Sequence, residues 1–133
     1  MLLGETEQDL RSIIGSPDRR DYAAPESLYY ELPEFEGSFL LNGGIIILIQ
    51  FNVPKKISES LRWFTALGLH AADLENMTRE EQQKKILLHY GNPPHVILLK
   101  ELNIYSRGIK FQFQGDRISF ISIFYPRKTF QVY

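Results

Sequence analysis

A threonine-capped helix that ends in Gly-x-Pro and leads into short apolar strands occurs twice along the 133 residues. This repetition constrains the fold more than any other feature. The first copy runs from Thr6-Glu7-Gln8-Asp9 to Gly15-Ser16-Pro17, and the second from Thr78-Arg79-Glu80-Glu81 to Gly91-Asn92-Pro93. A threonine hydroxyl accepts from an otherwise unpartnered N–H of the first turn, and acidic residues suit the positive end of the helix. Glycine then stops each helix and proline forbids its resumption. Counted back from the glycines, Leu10 matches Ile86 and Ile14 matches Tyr90. Leu10, Ile13 and Ile14 form the expected apolar face of the first helix, and Ile86, Leu87 and Tyr90 that of the second.

Strands follow each helix. Residues 16–27 read as a loop, 28–32 as a strand ended by Pro33, and Glu34, Glu36 and Gly37 as an acidic turn. Residues 38–41 form a short strand, Asn42-Gly43-Gly44 a turn, and 44–52 the most apolar strand, a pattern of central or two-sided burial. Residues 57–64 fit either a helix or a strand, and 65–77 form a connector. In the second half, strands are expected over 96–100, 103–106, 109–114 and 118–125, with Gly115-Asp116 as a two-residue hairpin loop. Ile47, Ile49 and Phe51 then correspond to Ile109, Phe111 and Phe113, and return strands start at Ile57 and Ile118.

A helix with a small meander cannot bury its own sheet face, whereas two side by side can. We therefore expect a single α+β domain over residues 1–133, built from two tandem helix-plus-antiparallel-meander repeats at about 1–64 and 65–133. Its form is a two-layer sandwich with a continuous antiparallel sheet.

Composition narrows the function classes. Apolar residues make up 44% and the formal net charge is −1, so a core is affordable and no overall positive field attracts nucleic acid. The balance is uneven along the chain: residues 1–43 carry −6 and residues 44–133 carry +5. The absence of cysteine removes disulfides and thiolate chemistry. The first residues show no basic leader, and the longest apolar run, Ile45 to Ile49, is far below the ~20 residues of a spanning helix. No membrane insertion is expected. The protein is either cytoplasmic or the trimmed mature form of an exported one.

No catalytic constellation emerges. His89 and His95 stand six apart around a turn, which is not a helical pair of ligands, and His70 is remote in sequence. Glu31, Glu34 and Glu36 read as a solvated loop, and Ser106-Arg107-Gly108 as a turn rather than a nucleophile elbow. Gly43-Gly44 matches no phosphate loop. We expect no enzyme, no metal and no cofactor.

The helix, the Gly-x-Pro stop and a meander carrying Gly-Ile-x-Phe-x-Phe, a turn and Arg-Ile resemble the β-lactamase-inhibitor-protein-like superfamily, which includes single-copy outer-membrane assembly lipoproteins and tandem-copy inhibitors. Thr78, Glu81, Gly91, Pro93, Gly108, Ile109, Phe111, Phe113, Arg117 and Ile118 carry the resemblance, with a fainter copy at Thr6, Gly15, Pro17, Gly44, Ile47, Ile49 and Phe51. The resemblance implies a non-enzymatic protein that presents a sheet face to another protein. The chain departs from exported members in lacking a lipid-acceptor cysteine and any disulfide pair.

From the residues themselves, Lys110, Gln112 and Gln114 line one strand face, with Ser119 across the hairpin. Tyr29, Tyr30, Trp63, Tyr105 and Tyr125 are candidate aromatic anchors, and Arg107 joins them as a candidate contact. The expected partner is another protein of inhibitor, immunity or assembly-adaptor type, and a second copy of the chain is a further candidate. The alternative is a small-ligand or sensor domain with a pocket between sheet and helices.

Overall fold

The computed structural model describes residues 3–23, 25–32, 35–53, 69, 74 and 76–130. Their fold class is α+β, with an eight-stranded antiparallel sheet and two helices. The chain divides into two compact units, Met1–Asn52 with Ser122–Tyr125, and Val53–Ile121 with Pro126–Tyr133. The ambiguous segment 57–64 and most of the connector 65–77 lie outside the described residues.

In the first unit, helix α1 (Glu7–Ile14) starts at Thr6 in a full capping box. The Thr6 hydroxyl accepts from the Asp9 N–H at 3.2 Å, and the Asp9 carboxylate accepts from the Thr6 N–H at 3.1 Å. Gly15, at φ +88°, ends the helix and donates to the Arg11 carbonyl. Only Leu10 of the expected apolar face is buried; Ile13 is 62% exposed. Eight residues make just over two turns, which bury one side chain and not a stripe.

Four antiparallel strands follow in the order β1 (Arg19–Asp21), β2 (Glu26–Leu32), β3 (Phe35–Asn42) and β4 (Ile45–Asn52). Two of them correct the sequence reading. The expected loop 16–27 contains β1 and the start of β2, and the expected acidic turn is partly strand, since Glu36 and Gly37 lie within β3. Gly37 is there for lack of space: a Cβ would sit 2.1 Å from the Gln50 carbonyl oxygen and 2.8 Å from Phe51 Cα. It stands in register between Tyr30 and Phe51, both fully buried.

Asn42 pairs with Ile45 across a two-residue turn in which Gly43 and Gly44 both have positive φ, the geometry that suits right-twisted strands. Leu40 pairs with Leu48 but Leu41 pairs with Ile46, so Ile47 is the extra residue of a bulge. The bulge puts Ile46 and Ile49, three apart, on the buried side opposite Leu41 and Phe39. The uninterrupted apolar run therefore reflects one buried face and one half-buried face. The segment before α1 is tied to β4 as well, through Gly4 N–H to Ile46 O and Ile46 N–H to Glu5 O, each 2.9 Å.

In the second unit, helix α2 (Arg79–His89) repeats the capping box with Thr78 and Glu81. Ile86 and Leu87 are buried as expected, together with Gln82 and Gln83. Gln82 is satisfied there, donating to the carbonyls of Met77 and Asp116. Strands β5 (Val96–Leu98), β6 (Glu101–Ile104), β7 (Ile109–Gln114) and β8 (Arg117–Phe124) follow, the last three residues of β8 belonging to the first unit. Residues expected as strand over 103–106 divide at Tyr105, where a 3-10 turn (Tyr105–Arg107) closes on the left-handed Gly108.

Among the described residues, a helix followed by four strands occurs twice in the element order. By that order β4 is the fourth strand after α1 and β7 the third after α2. Ile47, Ile49 and Phe51 are therefore not placed like Ile109, Phe111 and Phe113.

Candidate functional site

Alternation builds a two-sided sheet in the second unit. Leu102 pairs with Phe111 and Ile104 with Ile109, and all four are buried. The opposite face of β6 and β7 carries Glu101, Asn103, Lys110 and Gln112, all half-buried, with Gln114 exposed at the end. Val96 stands in register with Asn103 and Leu98 with Glu101, so two aliphatic residues of β5 join this face.

Its polar groups are held in place. Lys110 Nζ lies 3.6 Å from the Glu101 carboxylate. The Gln114 side-chain carbonyl accepts from Arg117 at 2.8 Å, and the Ser119 hydroxyl donates to the Gln112 backbone carbonyl at 3.3 Å. Asn103 Oδ1 is the exception, since it is buried and has no hydrogen-bond partner. A buried unpaired acceptor of this kind costs roughly 1–3 kcal/mol until a donor reaches it.

The remaining expected site residues are scattered. Tyr105 lies in the 3-10 turn, its ring centroid 6.1 Å from that of Phe130. Arg107 is exposed and donates to the Tyr90 carbonyl at 3.3 Å. Tyr30 is removed from the site. It is 0% exposed, its hydroxyl donates to the Gly15 carbonyl at 2.8 Å, and its ring meets Phe39 edge-on. Adjacent strand residues point to opposite faces, so Tyr29 and Tyr30 cannot both face a partner. Burial also raises the Tyr30 hydroxyl pKa above the usual tyrosine value. Trp63 lies outside the described residues.

Tyr29 belongs to the other unit and faces outward. Arg19, Tyr29, Ser38 and Gln50 form one register row across β1 to β4, and the Arg19 guanidinium sits 4.3 Å from the centre of the Tyr29 ring. Desolvation, followed by the charges of Glu36 and Glu31, raises the Tyr29 pKa. An open depression of about 350 Å³ lies here, lined by Arg19, Arg20, Asp21, Ser27, Tyr29 and Ser38. It is on the open face of the strands and its lining contains no phenylalanine.

His89 and His95 hold local roles, and His70 lies outside the described residues. His95 Nδ1 lies 2.9 Å from the Pro93 carbonyl, and His89 packs edge-on against Tyr90. Among the described residues no three His, Cys, Asp or Glu side chains converge as a metal set, and no helix is long and apolar enough to cross a membrane.

Glu101 and Asn103 were not among the residues expected at the site. Their signal is the alternation Glu101-Leu102-Asn103-Ile104, which is polar at every odd position. No protein-family model, no curated protein and no solved structure matches the chain.

Proposed function

We propose that the protein is a non-enzymatic binding domain that captures another protein through the face formed by Val96, Leu98, Glu101, Asn103, Lys110 and Gln112. The observation that carries this reading is the buried, unpartnered Asn103 Oδ1 among half-buried polar neighbours, with Val96 half-buried and Leu98 exposed beside them. A turn of the Asn103 side chain on binding would bring that acceptor to a partner's donor, and Val96 and Leu98 would supply the apolar part that interface centres need.

The resemblance to the β-lactamase-inhibitor-like superfamily supports the same reading, because its members present a sheet face to a protein. We read the chain as a tandem repeat of one unit, a helix with a four-stranded meander, and that reading points the same way. Both helices carry the capping box, and β4 and β8 share the same burial pattern over their first five residues, with Ile46 and Ile49 matching Ile118 and Ile121.

Affinity capture from the native host tests the proposal. The wild-type chain is expected to recover a protein that the double variant Lys110→Glu, Gln112→Ala recovers at least ten-fold less well, with both chains equally folded by circular dichroism. Equal recovery overturns the assignment of this face.

A second reading, a small-ligand domain, is favoured by the depression beside Tyr29. A thermal-shift screen that finds a metabolite stabilising the wild-type chain but not a Tyr29→Ala variant would select it over the first.

A further inference from the structure

We infer that β5 is a docking edge for an extended, acidic and apolar segment of a partner protein, which adds to the sheet as a further strand. The inference rests on the reading of the neighbouring face as a partner surface and names the chemistry of what binds there.

Among the described residues, β5 closes one end of the strand order and pairs only with β6. A terminal strand leaves a row of backbone N–H and C=O groups for another chain, and proteins usually blunt such edges with charge, proline or a bulge. β1, at the other end of the order, is blunted: its three residues are Arg19, Arg20 and Asp21. β5 is not. Val96, Ile97, Leu98 and the following Leu99 carry no charge, and Ile97, Leu98 and Leu99 are 53%, 45% and 85% exposed.

Size and charge choose the occupant. A strand of three residues covers much less than the ~800 Å² per partner of a stable globular interface, so pairing with a second copy at this edge is too small to hold. An extended peptide gains main-chain hydrogen bonds and side-chain contacts at that scale. The flanks of β5 are His95 and Lys100, and no acidic residue stands between Tyr90 and Lys100. Glu101, the first one beyond, is engaged by Lys110. An acidic residue that meets Lys100 beside an apolar core in the incoming segment complements this edge.

The test uses the full chain and a labelled peptide alternating valine and threonine between terminal glutamates. Fluorescence anisotropy is expected to show binding at least ten-fold tighter than for the same peptide with terminal lysines, and amide shifts in NMR spectra centred on Val96 to Lys100. A peptide with a central proline, which lacks the pairing N–H, is expected to lose at least ten-fold. Ile97→Glu and, as a milder change at a more exposed site, Leu99→Glu are each expected to weaken binding of the acidic peptide at least ten-fold while keeping the wild-type circular dichroism.

Equal binding of the acidic, basic and proline peptides overturns the inference, as do amide shifts located elsewhere. Sedimentation showing a dimer that Leu99→Glu dissociates also overturns it, in favour of a second copy. If capture depends on Lys110 and Gln112 but no peptide binds, the face stands and the edge falls. If the peptide binds but capture ignores Lys110 and Gln112, the edge stands and the face falls.

Discussion

Glu7 of α1 receives two N–H groups of the Arg20 guanidinium from β1, one of them at 2.8 Å, and this pair ties the short first helix to the sheet. Arg11, one helical turn along, donates to the same carboxylate at 2.8 Å, and Arg20 reaches Glu26 on β2 at 2.9 Å. One side chain cannot anchor an eight-residue helix by burial alone, and Leu10 is its only buried residue. The arginine fork supplies geometry that a single buried leucine lacks.

The hydrogen bond from Arg20, with help from Arg11 and against the opposing effect of burial, lowers the Glu7 pKa from 4.5 to about 2. The folded value lies below the unfolded one, so the carboxylate adds stability above pH 4.5. That contribution disappears as pH falls through 4.5 toward 2. Glu7→Gln is expected to flatten this part of the stability profile, measured by urea unfolding from pH 7 to pH 2. A variant profile parallel to that of the wild type would contradict the role given to the pair.

Gly37→Ala is expected to destabilise the protein by about 2–4 kcal/mol, because the added methyl meets backbone that cannot swing aside. Equilibrium denaturation reads the change. A loss below ~0.5 kcal/mol, the size of an ordinary surface substitution, would show that the strands separate there at little cost.

The start of α2 is clasped by the β7–β8 turn. Asp116 Oδ1 accepts from the Arg79 backbone N–H at 3.0 Å, and the Arg79 side chain donates to the carbonyls of Gly115 and Leu99. Asp116→Ala leaves a first-turn N–H without its acceptor and is expected to cost about 1 kcal/mol. Hydrogen exchange of the Arg79 and Glu80 amides is expected to accelerate, with that of β6 unchanged.

Tyr30→Phe removes the hydroxyl that donates to Gly15 and is expected to cost about 1 kcal/mol while leaving partner capture intact. Thermal unfolding and the capture assay together distinguish this core role from a surface one. Loss of capture at unchanged stability would return Tyr30 to the site.

What the sequence disclosed follows a physical division. Caps and tight turns are local chemistry, so Thr6, Thr78 and Gly115-Asp116 were legible, as was the alternation of β7. Pairing by main chain leaves no mark on side chains. β1, made of Arg19, Arg20 and Asp21, was therefore invisible. A glycine required by a close approach looks like a turn glycine, which is how Gly37 was misplaced. The bulge at Ile47 broke the alternation that would have revealed the buried face of β4. At the site, Lys110, Gln112 and Gln114 were readable from one strand, whereas Glu101 and Asn103 became neighbours only through the register of β6 with β7.

The central claim is that the face of β5, β6 and β7 turned away from the buried side chains is where a partner protein sits. Hydrogen exchange of the chain with and without its captured partner tests it most directly. The account predicts slowed exchange across residues 96–112, with α1, β1 and β2 unchanged. Slowed exchange around Arg19 to Tyr29, with 96–112 unaffected, would contradict it.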